Sequence, residues 1–242
     1  MPAERFYLKN SVFIQDAVIT MQDDEFHHLS HVMRLKEGET VELINGLGEL
    51  AEASIESIEK KKATLCVLSI YKEHPPSSKL FLAQALPRMP RLEYILEKSV
   101  ELGVTDLWLF PGDLSEKKDL SPSNLDRIHH IIVSAMKQCG RLFIPTLTIL
   151  PPLLKWEAAK LPPHCFFGDT NPLAPPFYSL LESPPVKNSI LIAIGPEKGF
   201  QEKELLFMKN SLSMQGVKLH QNILRTDTAA IASLALASTV LY

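Results

Sequence analysis

Apolar positions along this chain change rhythm near residue 75. Before it they come in short bursts of strand length: Arg5 to Leu8, Ala17 to Thr20, Thr40 to Ile44, Ala51 to Ile58 and Ala63 to Tyr71. Asn45-Gly46-Leu47-Gly48 supplies a hairpin turn, because Asn and Gly tolerate the backbone that tight turns require. About Asp24 to Arg34 reads as a helix capped by Asp24, with His27, His28, His31 and Met33 inside it. Short strands at this spacing predict a small barrel. Pro75-Pro76-Ser77-Ser78 ends the pattern, since paired prolines continue neither helix nor strand. Two domains are expected, residues 1–73 and 74–242.

Beyond the boundary, strand-length runs alternate with helical spacing. Leu80 to Leu86 is a strand, and Leu92, Ile95, Leu96 and Val100 then mark one helix face, stopped by Gly103. Val104 to Phe110 is the next strand, and Asn124 stands where it can cap a helix bearing Ile128, Ile131, Ile132 and Ala135. Cys165 to Gly168 is a short strand, followed by a proline-rich loop from Pro172 to Pro185. Ile190 to Ile194 and Val217 to Leu219 read as buried strands, leading into helices over Gln201 to Lys209 and Thr226 to about Leu241. This rhythm predicts an α/β domain, its sheet largely parallel with helices on both faces. The last helix lacks a charged face, so it belongs under the sheet or in a dimer interface.

Composition narrows the class. With 45% hydrophobic residues the chain can bury a sizeable core, and no apolar run approaches membrane-spanning length. Met-Pro-Ala-Glu-Arg-Phe lacks the layout of a signal peptide. The three scattered cysteines, Cys66, Cys139 and Cys165, fit a reducing cytoplasm and give no metal-ligand spacing. A formal charge of −3 means that any nucleic-acid surface must be a local basic patch or one shared across a dimer.

The candidate chemistry sits at two strand-to-helix turns, Ile194-Gly195-Pro196-Glu197-Lys198-Gly199-Phe200 and Asn222-Ile223-Leu224-Arg225-Thr226-Asp227-Thr228. Turns of this kind present backbone N–H groups at the edge of an α/β sheet and make a ligand-binding edge. Gly195 lets the backbone leave the strand sharply and approach a ligand, Pro196 stiffens the turn, and Gly199 can take a positive φ. The first turn is neither a Walker loop nor a dinucleotide fingerprint, because both glycine spacings are absent. Arg225 is harder to explain by packing, whereas Thr226 or Asp227 suits a simple N-cap. Lys98 and Glu101 make, in the plain reading, an exposed ion pair.

The wording of these turns, Gly-Pro-Glu-x-Gly and then Leu-Arg-Thr-Asp-Thr-Ala, resembles the cofactor knot of the SPOUT methyltransferases. It is most similar to the family that methylates N3 of a uridine in 16S ribosomal RNA. Further segments carry the likeness: Lys98-Ser99-Val100-Glu101-Leu102-Gly103-Val104, Leu114-Ser115-Glu116-Lys117, Gln138-Cys139-Gly140-Arg141 and the stretch from His28 to Leu35. The chain departs from the family pattern at Lys198, where glycine is usual, and at Lys117, where arginine is usual. His220-Gln221-Asn222 replaces a Gly-x-Arg loop.

The resemblance implies a PUA-like RNA-binding barrel followed by a SPOUT α/β domain with a trefoil knot. It implies S-adenosylmethionine as cofactor, no metal, and 16S rRNA within the small ribosomal subunit as substrate. A cytoplasmic homodimer away from any membrane is also implied. Ile194, Gly195, Pro196, Glu197, Gly199, Leu219, Asn222, Ile223, Leu224 and Thr226 are then expected around the cofactor. Uridine N3 must lose its proton before it attacks, so a cation near the flanking carbonyl oxygens is needed. Arg225 is the first candidate and Arg141, from the same or a partner subunit, the second, while Glu197 or Asp227 is the candidate proton acceptor. Two other classes compete: an RNA-binding module without catalysis, and an α/β enzyme that uses another nucleotide. A methyltransferase acting on a different RNA is the nearest alternative.

Overall fold

The computed structural model describes residues 4–181 and 189–241. The chain divides into two compact units, Met1–Pro75 with Met136–Ile144, and Pro76–Ala135 with Pro145–Tyr242.

The first unit contains β1 (Arg5–Tyr7), β2 (Val18–Gln22), α1 (Asp23–His27), β3 (Thr40–Ile44), β4 (Glu49–Ile58) and β5 (Lys62–Lys72). They form one sheet in the order β1-β3-β4-β5-β2, with β1 parallel to β3 and the other pairs antiparallel. Two edges remain, so the sheet is a curled half-barrel. Alternation explains its core: Ala51, Ala53 and Ile55 of β4, and Ala63, Leu65 and Val67 of β5, share the inner face with Phe6, Met21, Val41 and Leu43. The hairpin between β3 and β4 has Gly48 at φ +93, and a Cβ there would strike the ring of Phe143 at 2.2 Å. Asp24 is not a cap: α1 begins at Asp23, after Gln22, and passes at His28 into one turn of π-helix over His28–Val32.

The second unit runs β6 (Lys79–Ala85), α2 (Met89–Glu101), β7 (Asp106–Phe110), α3 (Pro122–Cys139, its last turn counted with the first unit), β8 (Thr146–Ile149), β9 (His164–Gly168) and α4 (Phe177–Leu181). It continues with β10 (Ser189–Ile194), α5 (Glu202–Asn210), β11 (Gln215–Val217) and α6 (Thr226–Leu241). The six strands lie in the order β11-β9-β10-β6-β7-β8, every neighbouring pair parallel. Central β6 and β10 are almost wholly buried, which is why both are mainly apolar, Gln84 of β6 being the buried exception. α6 turns Ala230, Ser233, Leu234 and Ala237 inward and packs on α2, β6 and β10.

Three local expectations change. Ser121, not Asn124, caps α3, since Asn124 N–H donates to Ser121 Oγ at 3.3 Å and the Asn124 side chain accepts from Lys117 at 2.6 Å. The proline-rich stretch contains α4, where Phe177 and Leu181 are buried; Pro184 and Pro185 lie outside the described residues. Strand β11 ends at Val217, which releases Leu219 into the loop before α6.

Candidate functional site

The carboxyl ends of β9, β10 and β11 open into a cleft of about 580 Å³, within the range that holds a small-molecule ligand. All ten residues assigned above to the cofactor line it: Ile194, Gly195, Pro196, Glu197, Gly199, Leu219, Asn222, Ile223, Leu224 and Thr226. Lys198 and His220 also face it.

Local chemistry fixes the first turn. Gly199 N–H donates to Pro196 C=O at 2.9 Å, and Gly199 takes φ +74. A Cβ on Gly195 would lie 3.2 Å from the Gly199 carbonyl carbon and 3.3 Å from Phe200 Cδ2. A side chain at Gly195 therefore crowds the turn where it folds back on itself, at a position that also lines the cleft. Gln201 then opens α5 with a capping box, its N–H donating to Glu204 at 2.9 Å.

The second turn is joined to the first by a buried polar contact. Gln84 is fully buried on β6, in register with Ile194. Its Nε2 donates to Thr226 Oγ1 at 3.0 Å and to Ala85 C=O at 2.8 Å, and the Thr226 hydroxyl donates to Gly195 C=O at 2.6 Å. The Gln84 Oε1 atom has no hydrogen-bond partner among the described residues. Thr226 is thus a tie between turns rather than an N-cap. Asp227 is not one either: Arg225 occupies the cap position, its C=O accepting from Ala229 N–H at 2.8 Å.

Charged groups brace the rim. Arg91 Nη1 lies 2.9 Å from Asp227 Oδ2, and its Nε lies 3.6 Å from Glu197 Oε1. Glu197 also accepts the Arg88 backbone N–H at 3.0 Å, so its carboxylate is engaged in holding the loop. The Arg88 guanidinium grips Glu116 through two bonds of 2.8 and 2.9 Å. That bond, more than the charge of nearby Lys198, holds the Glu116 carboxyl below the usual range.

The candidate cations differ in placement. Arg225 is exposed, between cleft residues Leu224 and Thr226, and its guanidinium makes no hydrogen bond or ion pair with any described residue. Arg141 belongs to the segment grouped with the first unit. Lys98 keeps its plain reading as an ion pair, 2.8 Å from Glu101 and 2.7 Å from Glu97. Among the described residues, no group of His, Cys, Asp or Glu is arranged to hold a metal.

Sequence reasoning missed several lining or bracing residues. Gly168, Asp169 and Thr170 enter from the end of β9, and Gln84 supports the site from β6. A signal existed for Gln84: it is a polar residue inside the apolar run from Leu80 to Leu86.

A family model for an RNA methyltransferase domain matches residues 73–238, and one for an RNA methyltransferase PUA domain matches residues 22–68. This chain belongs to the RNA methyltransferase family. Its architecture is the SPOUT α/β core with a PUA-like half-barrel. Relatives agree along nearly the whole length. The ribosomal RNA small subunit methyltransferase E of Rickettsia conorii is 26% identical over 239 residues, covering 97% of this chain and 95% of its own. That of Bacillus subtilis is 26% identical over 227 residues, covering 88% and 86%. Among solved structures, the ribosomal RNA small subunit methyltransferase E of Neisseria gonorrhoeae, bound to S-adenosyl methionine, matches with a TM-score of 0.84 at 26% identity, covering 99% and 98% of the two chains. A putative methyltransferase of Legionella pneumophila, in complex with the same cofactor, matches with a TM-score of 0.88 at 25% identity, over 99% and 98%.

Proposed function

We propose that this enzyme uses S-adenosylmethionine to methylate N3 of a uridine in 16S ribosomal RNA of the small subunit. The observation that carries the reading is the cleft formed where the turns at Gly195 and Leu224 meet. Its residues fit the cofactor. Ile194, Leu219 and Leu224 offer apolar walls for an adenine, and the glycine-containing turn at Gly195–Gly199 brings backbone close to the ligand. The SPOUT knot implied by the sequence would lie in the segments carrying these turns.

When bound, the cofactor supplies a methyl group on a positively charged sulfur. The chain's own residues then have three tasks. The two turns hold cofactor and base in line, which removes much of the entropic barrier. Arg225 stands at the uridine carbonyl oxygens and stabilises the N3-deprotonated base. Arg141 of a second copy is the supporting cation. Glu197 or Asp227 is the proton acceptor: Glu197 accepts the Arg88 N–H through Oε1, and Asp227 accepts from Arg91 and from the Thr228 N–H.

The homodimer we propose is supported by α6. The helix has no charged residue beyond Asp227, and Ile231, Ala232, Ala235 and Leu236 remain only half-buried in one copy. Two-fold pairing is the commonest way to cover such a face. Among the described residues no helix is long and apolar enough to cross a membrane, and we place the enzyme in the cytoplasm with the ribosomal subunits.

The decisive experiment is nucleoside mass spectrometry of ribosomal RNA from a strain lacking this chain, with and without complementation. Loss of 3-methyluridine, restored by the gene, is expected; unchanged 3-methyluridine overturns the reading. Light scattering at micromolar concentration should give the mass of a dimer.

A further inference from the structure

We propose that His27 and His31 form a stacking platform for an unpaired RNA base on the half-barrel unit, an inference that rests on the RNA substrate proposed above. The two rings are stacked, their centroids 4.7 Å apart and their planes within 12°. Both residues are exposed, whereas Phe26 and Leu29 of the same segment are buried and carry its packing. The histidine pair therefore contributes little to the core that would explain its arrangement.

The platform is preorganised. The Ser30 hydroxyl lies 2.8 Å from Phe26 C=O, within hydrogen-bond reach. His31 Nδ1 lies 2.7 Å from the same hydroxyl oxygen. That contact holds the ring plane. Phe26 meets the His31 ring edge-on, with centroids 6.3 Å apart, and limits its tilt. The backbone is unusual as well. The segment formed by α1 and the π-turn is bracketed by two non-glycine residues in the left-handed region, Asp23 at φ 54 and Arg34 at φ 56. Strain of this kind gathers at functional sites.

The surroundings suit RNA. Arg34, just beyond the turn, is exposed and makes no ion pair with any described residue, so it is available to a phosphate. Of the nearby acids, Glu25 is neutralised by Lys137 at 2.9 Å, and Asp23 and Asp24 stand in the first turn of α1, at the other end of the segment. Single-stranded RNA is read largely by stacking unpaired bases on aromatic rings, histidine included. No metal is needed to explain the pair, because among the described residues no further ligand converges on it.

The test is fluorescence anisotropy of a labelled oligouridylate of about 12 nucleotides, a length in the range of known single-strand sites. It uses the full chain, His27→Ala, His31→Ala and His27→Phe. Each alanine variant should bind about tenfold more weakly, the scale of one lost stacking contact. Phenylalanine should restore binding, and the dependence on salt should stay the same. Circular dichroism melts should show all variants folded. Wild-type affinity in the alanine variants, failure of phenylalanine to rescue, or no binding by the wild-type chain overturns the platform. Calorimetry with S-adenosylmethionine reads the proposed activity separately: a chain that binds the cofactor but shows no histidine effect loses only the platform.

Discussion

The hydroxyl of Thr226 donates to the carbonyl oxygen of Gly195 at 2.6 Å and joins two ligand turns that lie 31 positions apart. The same oxygen accepts from Gln84, so one side chain serves both partners. Thr226→Val keeps the shape but strands a buried amide and weakens the hold on the carbonyl. A loss of about 1–3 kcal/mol in stability is expected, with weaker cofactor binding. Thr226→Ser should behave nearly as wild type. Thermal melts with calorimetry check both.

Arg91 couples Asp227 and Glu197 across the same gap. Arg91→Met should weaken S-adenosylmethionine binding by about tenfold, roughly one charge-assisted hydrogen bond discounted for partial exposure. Turnover at saturating cofactor should change less. A double-mutant cycle with Asp227→Asn should show the two changes to be non-additive; full additivity would separate the residues.

Arg225 distinguishes chemistry from packing. Arg225→Ala should lower turnover by about two to three orders of magnitude, the scale of one preorganised charge-stabilising donor. Folding and cofactor affinity should hold. Lysine should rescue in part, because it keeps the charge and loses the planar fork. Raising the pH should recover some of the alanine variant's rate, since solvent then removes more of the N3 proton. Normal turnover in Arg225→Ala would remove it from the mechanism.

Gly195→Val should damage the turn itself. The branched side chain would meet Gly199 and Phe200, where a single Cβ already comes within 3.2–3.3 Å. A lower melting temperature together with lost cofactor binding is expected, and Gly195→Ala should show a milder form of both. A valine variant of normal stability that fails only to bind would leave ligand approach, and not the fold of the turn, as the reason for the glycine.

Burial pushes the Cys165 thiol up to about 12, from an ordinary value of 9.0. Its hydrogen points to Pro162 C=O at 3.0 Å. The folded thiol keeps its proton where the unfolded one loses it, so this group destabilises the fold as pH rises from about 9 towards 12 and has no effect below that window. Urea unfolding at about pH 8 and about pH 10 should show a smaller loss in Cys165→Ala than in wild type. Equal slopes would mean that the thiol is not desolvated as described.

Much of this was legible in the chain because it is local. β3 runs from Thr40 to Ile44, as the apolar pattern gives it, and α6 begins at Thr226, where the polar turn ends. Both turns were recognisable because Gly widens and Pro narrows the backbone conformations open to the chain, by their own covalent structure. The helix caps were less legible: Asp24 and Asn124 have capping side chains, but Gln22 and Ser121 hold those positions. Several residues near a helix start can serve as its cap, and packing chooses among them. The α4 helix inside a proline-rich stretch was hidden for a similar reason, since it is too short to show a period and depends on burying Phe177 and Leu181.

The sequence by itself determined the alternation of elements, the two glycine- and threonine-containing turns, and hence an α/β enzyme with its ligand edge near Gly195 and Leu224. Only the tertiary structure decided what each polar side chain does there. Thr226 meets Gln84 across 142 positions, Arg91 meets Asp227 across 136, and Glu197 meets the Arg88 backbone across 109. Apolar periodicity is written along a helix or strand because neighbouring residues share one environment. A hydrogen-bond partner more than a hundred residues away leaves no such trace, because its position is set by the packing of the whole sheet.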